Sequence, residues 1–129
     1  MKIGVLGGTF DPVHNGHIAI AEETGSALDL AEVLFIPAAQ SPLKDGESVL
    51  AAKYRVEMVR LAISEHPRLS LSRIEVDRSG LSFTVDTIEE LRKGLDAADE
   101  LYFILGWDGL AQFPRWREPA RIIEMCRLV

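Results

Sequence analysis

Residues 7–17 read G-G-T-F-D-P-V-H-N-G-H and follow directly on an apolar run at 3–6. Two glycines at the end of a strand let a ligand approach the backbone, and Asp11-Pro12 turns the chain. A helix then opens at about Asn15, and its N-terminus offers unpaired N–H groups and partial positive charge to an anion. The chain has three histidines, and two of them, His14 and His17, stand here at a spacing that puts both on one side of a first helical turn. The standard phosphate loops do not fit, because Gly4, Gly7 and Gly8 form G-x-x-G-G rather than G-x-G-x-x-G or a loop ending in G-K-[ST]. What remains is a strand–turn–helix mouth suited to a polyphosphate. A metal reading is weaker: only two nitrogens are in register, a third ligand would come from Asp11 or Asp108, and the motif is not H-E-x-x-H. The plain structural alternative has one histidine capping the helix and the other packing.

Outward from this mouth, β-branched apolar runs predict strands at 2–6, 32–36, 69–76 and 100–105, with 127–129 beginning a fifth. Helices are predicted at 18–28, 51–64 and 85–95. The second carries a stripe of Leu50, Tyr54, Met58, Leu61 and Ala62 and is ended by His66-Pro67; the third is entered through Asp86-x-x-Glu89 or Thr87-x-x-Glu90. Such alternation predicts an α/β protein, a Rossmann-like doubly wound parallel sheet in three layers, α/β/α. Ligands of such sheets sit beyond the carboxyl ends of the strands where the strand order reverses. Segments 7–17 and 106–108, which follow the first and fourth strands, should therefore face one crevice. The longest irregular piece is the loop 37–48, of a length often tied to function.

A chain of 129 residues, 47% of them hydrophobic, fits one domain over 1–129. Its net charge of −6 argues against general nucleic-acid binding, so an anionic ligand needs a local site. No apolar run approaches the roughly 20 residues of a membrane span, and Met1-Lys2 leads straight into a strand without a signal-peptide pattern. The expectation is a cytoplasmic protein with no membrane partner. Cys126 is the single cysteine and reads as a small buried apolar residue. The basic stretch 115–127 reads as a solvated helix face, Arg78 as a salt-bridging residue, and His66 as a helix-end residue without a role.

The 7–17 motif resembles the signature of the H-x-G-H nucleotidyltransferase superfamily, and the rest of the chain resembles the bacterial nicotinate-nucleotide adenylyltransferase family. The resemblance is carried by I-P-A-A-Q-S-P-L-K (36–44), Y-R-V-E-M-V-R-L-A (54–62), R-S-G-L-S-F-T-V-D-T (78–87) and G-W-D-G-L-A-Q-F-P-R-W (106–116). It implies adenylyl transfer from ATP to nicotinate mononucleotide, giving nicotinic acid adenine dinucleotide and pyrophosphate, within NAD biosynthesis. By resemblance His14 and His17 are the catalytic pair holding the ATP phosphates. Gly7, Gly8, Thr9, Gly106 and Asp108 complete the ATP site, the last two at the adenosine ribose. Thr9, Phe10, Lys44, Thr84 and Trp116 bind the mononucleotide; Trp116 stacks on the pyridine ring, and backbone near Thr84 meets its carboxylate.

Phe10 and Trp116 have core packing as the alternative, and Asp108 a helix N-cap. Pro42-Leu43-Lys44 stands where the family has Pro-His-Lys or Pro-His-Arg, so the imidazole's share of that contact is missing. No protein-held metal is implied; Mg2+ would arrive with ATP. The family pattern continues past residue 129 with another strand, helices and a late Ser/Thr-rich segment, so the resemblance implies a domain incomplete at its C-terminus. A sister transferase acting on nicotinamide mononucleotide or phosphopantetheine, and a non-catalytic nucleotide-binding module, are the alternatives. Homo-oligomerisation is left open.

Overall fold

The computed structural model describes residues 1–39, 50–78 and 81–129, without the side chains of Trp107 and Asp108. Five strands are described: β1 (Lys2–Gly8), β2 (Glu32–Pro37), β3 (Leu69–Leu71), β4 (Glu100–Phe103) and β5 (Arg127–Leu128). They form one parallel sheet in the order β3-β2-β1-β4-β5. Between them run α1 (Asn15–Ala27), α2 (Ala52–Ile63), α3 (Thr84–Lys93), α4 (Trp107–Gln112) and α5 (Pro119–Met125), with a 3-10 turn at Phe113–Arg115.

The two-residue period of the strands divides the core between the sheet's two faces. Leu6, Val33, Phe35, Leu69 and Tyr102 pack with Ala21 of α1 and with Val59 and Ile63 of α2. Ile3, Val5, Ile36, Leu101 and Phe103 pack with Val85 and Ile88 of α3 and Ile122 of α5. The expected three layers follow. β1 is central, paired with β2 on one side and β4 on the other, so the reversal of strand order falls between β1 and β4. The segments after these strands leave the same carboxyl edge.

Several local expectations are corrected. The strand expected at 69–76 stops at Leu71: Ser72 Oγ accepts from the Ile74 amide (3.4 Å), and the chain turns through 74–77 with Asp77 N donating to Arg73 O (2.9 Å). α3 starts at Thr84, capped by Phe83 without a side-chain bond, so neither Asp86 nor Thr87 caps it. The buried face of α2 is Arg55, Val56, Val59 and Ile63, whereas Leu50, Tyr54 and Leu61 of the expected stripe are exposed. Cys126 is buried as expected, and burial pushes its thiol up to about 11. Arg78 pairs with Glu90 (3.2 Å), also as expected. Residues 40–48 of the expected loop lie outside the described residues.

Candidate active site

The mouth after β1 is built on a buried aromatic. Phe10 has φ of 51°, a left-handed conformation uncommon for a bulky residue, and its ring is 3% exposed, stacked on Phe35 at 5.5 Å between centroids. Packing thus holds the turn in a backbone shape it would not adopt alone. The Asp11-Pro12 peptide is cis, and Asp11 Oδ2 accepts from the Leu50 amide (3.0 Å).

His14 is the N-cap of α1. Its Nδ1 accepts from the Gly16 amide (3.1 Å), while its own amide donates to His17 Nδ1 (3.0 Å). Two imidazoles therefore form a capping box, a job ordinarily done by a hydroxyl or carboxylate and a Glu or Gln. The rings stack at 3.8 Å, and His17 meets Phe10 edge-on at 5.0 Å. Since both Nδ1 atoms accept, the hydrogen-bond network assigns the proton of each neutral ring to Nε2. Among the described residues no partner takes either Nε2–H. The capping alternative and the ligand reading are thus compatible, one nitrogen of each ring serving each.

Gly16 is the residue that permits this. A Cβ there would stand 2.9 Å from both Cε1 and Nδ1 of His14, so only glycine lets the capping ring fold over it. Gly16→Ala gains about 1 kcal/mol of helix propensity and loses about 1 kcal/mol of cap. The melting midpoint should stay within a few degrees, while the 15N shifts of His14 move from the Nε2–H form to a tautomer mixture. Unchanged His14 shifts would refute the steric account.

Burial, and then the neighbouring His14, hold the His17 pKa below its ordinary 6.5. Between that lowered value and 6.5 the unfolded chain binds more protons than the folded one, so stability rises with pH across the window. The His17 contribution is complete above about pH 6.5 and is lost as pH falls through the folded value. Melting curves from pH 5 to 8 should show this slope, and His17→Gln should flatten it.

Beside the mouth, the Ala38 amide donates to Gly8 O (2.8 Å) and the Ala39 amide to Ser82 Oγ (3.2 Å), just before α3. Arg55, 1% exposed, lies among these segments and donates to the carbonyls of Thr9, Ala38, Ala39 and Leu50. Arg55 falls within the 54–62 stretch, but the sequence alone assigns it no role. The available signal was its place beside Val56, Val59 and Ile63 on the α2 face that faces inward. Glu75 was missed likewise: it is buried, accepts from Thr87 Oγ1 (2.8 Å), and burial raises its pKa despite that bond and the nearby Arg78.

After β4, Gly106 is the N-cap of α4, a place the alternative reading gave to Asp108. A Cβ on Gly106 would meet nothing within 4 Å, so the fold does not require glycine there. The backbone of Asp108 is in the first turn of α4; its side chain, like all of Lys44, lies outside the described residues. Trp116 is half-buried, tilted on Phe113 at 5.2 Å and edge-on to Phe103 at 5.7 Å. Thr84 is the first residue of α3, and the preceding Phe83 ring lies under the Arg117 guanidinium at 4.8 Å, which brings the start of α3 beside the 116–117 segment.

Gly7, Gly8, Thr9, His14 and His17 therefore share one mouth at the carboxyl edge of β1, with Gly106 after the neighbouring β4. A groove of about 570 Å³ lined by Arg92, Glu100, Met125 and Arg127 lies at the amino ends of β4 and β5, the wrong edge for this site. No group of three His, Cys, Asp or Glu side chains among the described residues could hold a metal ion, and no helix among them is long and apolar enough to cross a membrane.

Residues 5–129 match the cytidylyltransferase-like family model. The chain belongs to the cytidylyltransferase-like family. Within that family's reach, it is 46% identical over 129 residues to a probable nicotinate-nucleotide adenylyltransferase of Dehalococcoides mccartyi, covering 100% of this chain and 63% of that protein. A relative of the same name from Roseiflexus is 50% identical over 128 residues, covering 98% of this chain and 63% of its own length. The chain thus spans less than two thirds of the length of these relatives. In fold it is similar to a putative nicotinate-nucleotide adenylyltransferase from Vibrio parahaemolyticus, with TM-score 0.79 and 20% identity over 99% of this chain and 75% of that one. The Plasmodium falciparum nicotinic acid mononucleotide adenylyltransferase, solved with NaAD, matches with TM-score 0.79 and 20% identity over 95% of this chain and 60% of that one. Both confirm the doubly wound fold expected of the sequence.

Proposed function

We propose that this chain carries the adenylyl-transfer site of a cytoplasmic nicotinate-nucleotide adenylyltransferase, in which the 5′-phosphate of nicotinate mononucleotide attacks the α-phosphorus of ATP and releases pyrophosphate, within NAD biosynthesis. The carrying observation is the pair of imidazoles whose Nδ1 atoms are engaged by the helix cap and whose Nε2–H donors have no partner among the described residues. The names of the relatives support the choice of substrates. The attacking phosphate is already an anion, so the step needs positioning and charge stabilisation rather than a general base or a covalent intermediate. His14 and His17 would donate to the polyphosphate as charge builds on the departing pyrophosphate. An arriving anion favours the imidazolium, opposing the burial that keeps His17 neutral.

Magnesium would enter as MgATP, riding on phosphates whose negative charge a chain of net charge −6 does little to offset. Gly7, Gly8 and Thr9 would line the triphosphate, with Gly106 and Asp108 at the ribose. Phe10 has its ring committed to the core and would contribute only backbone. Trp116 has part of its surface open for the pyridine ring, and the start of α3 at Thr84 would present amides to the nicotinate carboxylate. Lys44 would add a point charge near the phosphates.

The deciding assay is ATP-dependent pyrophosphate release by the complete protein with each acceptor. Selective turnover of nicotinate mononucleotide is expected. Preference for nicotinamide mononucleotide or phosphopantetheine would move the assignment to a sister transferase, and ATP binding without turnover would reduce it to a binding module. Gly106→Ala is the local test. A methyl fits the free protein, so the melting midpoint should fall by a few degrees at most, while a clash worth roughly 1–3 kcal/mol with bound adenosine weakens ATP binding by about tenfold or more. Unaltered ATP affinity would remove Gly106 from the site.

A further inference from the structure

Arg55 is a cation taken almost wholly out of water, which costs several kcal/mol unless its donors are well satisfied. Among the described residues no carboxylate lies within ion-pair distance of it, and the Asp11 carboxylate acts on it only through longer-range attraction, which does not outweigh burial. Its partners are main-chain carbonyls from three separate segments: Thr9 O (2.8 Å) after β1, Ala38 O (2.7 Å) and Ala39 O (3.4 Å) after β2, and Leu50 O (2.7 Å) before α2. One nitrogen, Nη1, serves both Thr9 and Ala38. The two turns that flank the mouth therefore share a single donor atom.

This has a directional consequence. In a trans peptide the C=O and the following N–H point opposite ways. Carbonyls drawn toward Arg55 turn the next amides away from it. The Ala39 amide goes to Ser82 Oγ (3.2 Å), beside the start of α3, and the Phe10 amide has no acceptor among the described residues. We infer that Arg55 is a positioning residue: its buried fork fixes the Thr9–Phe10 peptide so that the Phe10 N–H is presented outward, and locks the histidine mouth in register with Ala38–Ala39 and, through Ser82, with α3. The inference deepens the proposed adenylyl-transfer site and, for its effect on rate, rests on it. The triphosphate side and the acceptor side of the reaction would lie on the two segments so joined, so the alignment bears on the rate more than on the binding of either substrate. Misplacement by about 1 Å at a reacting centre costs on the order of 100-fold.

The test uses the complete protein with Arg55→Met and Arg55→Lys, followed by amide hydrogen exchange and steady-state kinetics at a temperature well below each melting midpoint. In Arg55→Met, the Ala38 amide, bonded to Gly8, and the Ala39 amide, bonded to Ser82, should exchange at least tenfold faster together, with the interior of β4 and α3 unchanged. The turnover number should fall about 100-fold while KM for each substrate stays within threefold. Arg55→Lys keeps the charge but not the fork, so it should recover the melting midpoint without recovering turnover. Turnover of Arg55→Lys within threefold of wild type, or unaltered exchange at both alanines in Arg55→Met, overturns the inference. Should the wild-type protein transfer no adenylyl group at all, the functional reading fails by itself, and the exchange result alone decides whether Arg55 couples the two turns.

Discussion

His17→Ala should lose between about 100-fold and 1000-fold in turnover number while ATP still binds, the scale of one missing donor aimed at developing oxyanion charge. Both nitrogens of the His17 ring take part. Nδ1 accepts from the His14 amide (3.0 Å), so the neutral ring carries its proton on Nε2, and burial with the neighbouring His14 keeps it neutral near pH 7. Alanine removes that donor and also opens the capping box, a stability loss of about 1 kcal/mol. The two losses separate in His17→Gln. A glutamine three residues into a helix can reach back to the N-cap amide, so the melting midpoint should recover; its amide does not reproduce a donor on the far side of an imidazole, so the rate should not. Steady-state pyrophosphate release and melting curves on both variants check this. Turnover of His17→Ala within threefold of wild type would discard the catalytic role.

What could be read in advance depended on whether local chemistry had a competitor. The turn and helix at 7–17 were legible because glycine, Asp-Pro and helix-start chemistry agree there, and α1 does begin at Asn15. The sheet followed from strand–helix alternation. At 69–76 the alternation L-S-L-S-R-I-E-V also has the two-residue period of a strand, yet tertiary bonding overrides it, because Ser72 turns the chain and the Glu75 carboxylate is drawn inward to Thr87. Neither expected capping box forms because α3 already begins at Thr84, which places Asp86 and Thr87 inside the helix, where the Thr87 hydroxyl is within hydrogen-bond distance of both Glu75 Oε2 (2.8 Å) and Phe83 O (3.4 Å). On α2 two apolar stripes compete. The one that wins carries an arginine, which any reading based on hydrophobicity demotes. The buried guanidinium is satisfied by carbonyls distant in sequence, and no local pattern announces them. In the mouth the sequence points to His14 and His17 but not to their tautomers, since these depend on which backbone amides the rings meet.

Phe35→Ala should be the most destabilising of these changes. Phe35 is fully buried in the centre of β2, and its ring stacks on Phe10 at 5.5 Å. Truncating a buried phenylalanine costs about 3–5 kcal/mol, of which the aromatic pairing accounts for roughly 0.5–1.5. In a domain of this size that lowers the melting midpoint by roughly 10–20 °C. Phe35→Leu keeps most of the volume and loses the stacking, so it should cost about 1 kcal/mol. The functional consequence follows from the same contacts. Phe10 holds a left-handed backbone and backs the His17 ring edge-on at 5.0 Å, so removing its support should loosen the mouth even in molecules that remain folded. Urea unfolding should show a lower midpoint with an unchanged m-value, since the surface exposed on unfolding is nearly the same. Hydrogen exchange in residues 14–18 should rise in parallel. A midpoint shift of only a few degrees would mean that neighbouring side chains collapse into the space, and Phe10 would then owe its conformation to the turn rather than to the ring beneath it.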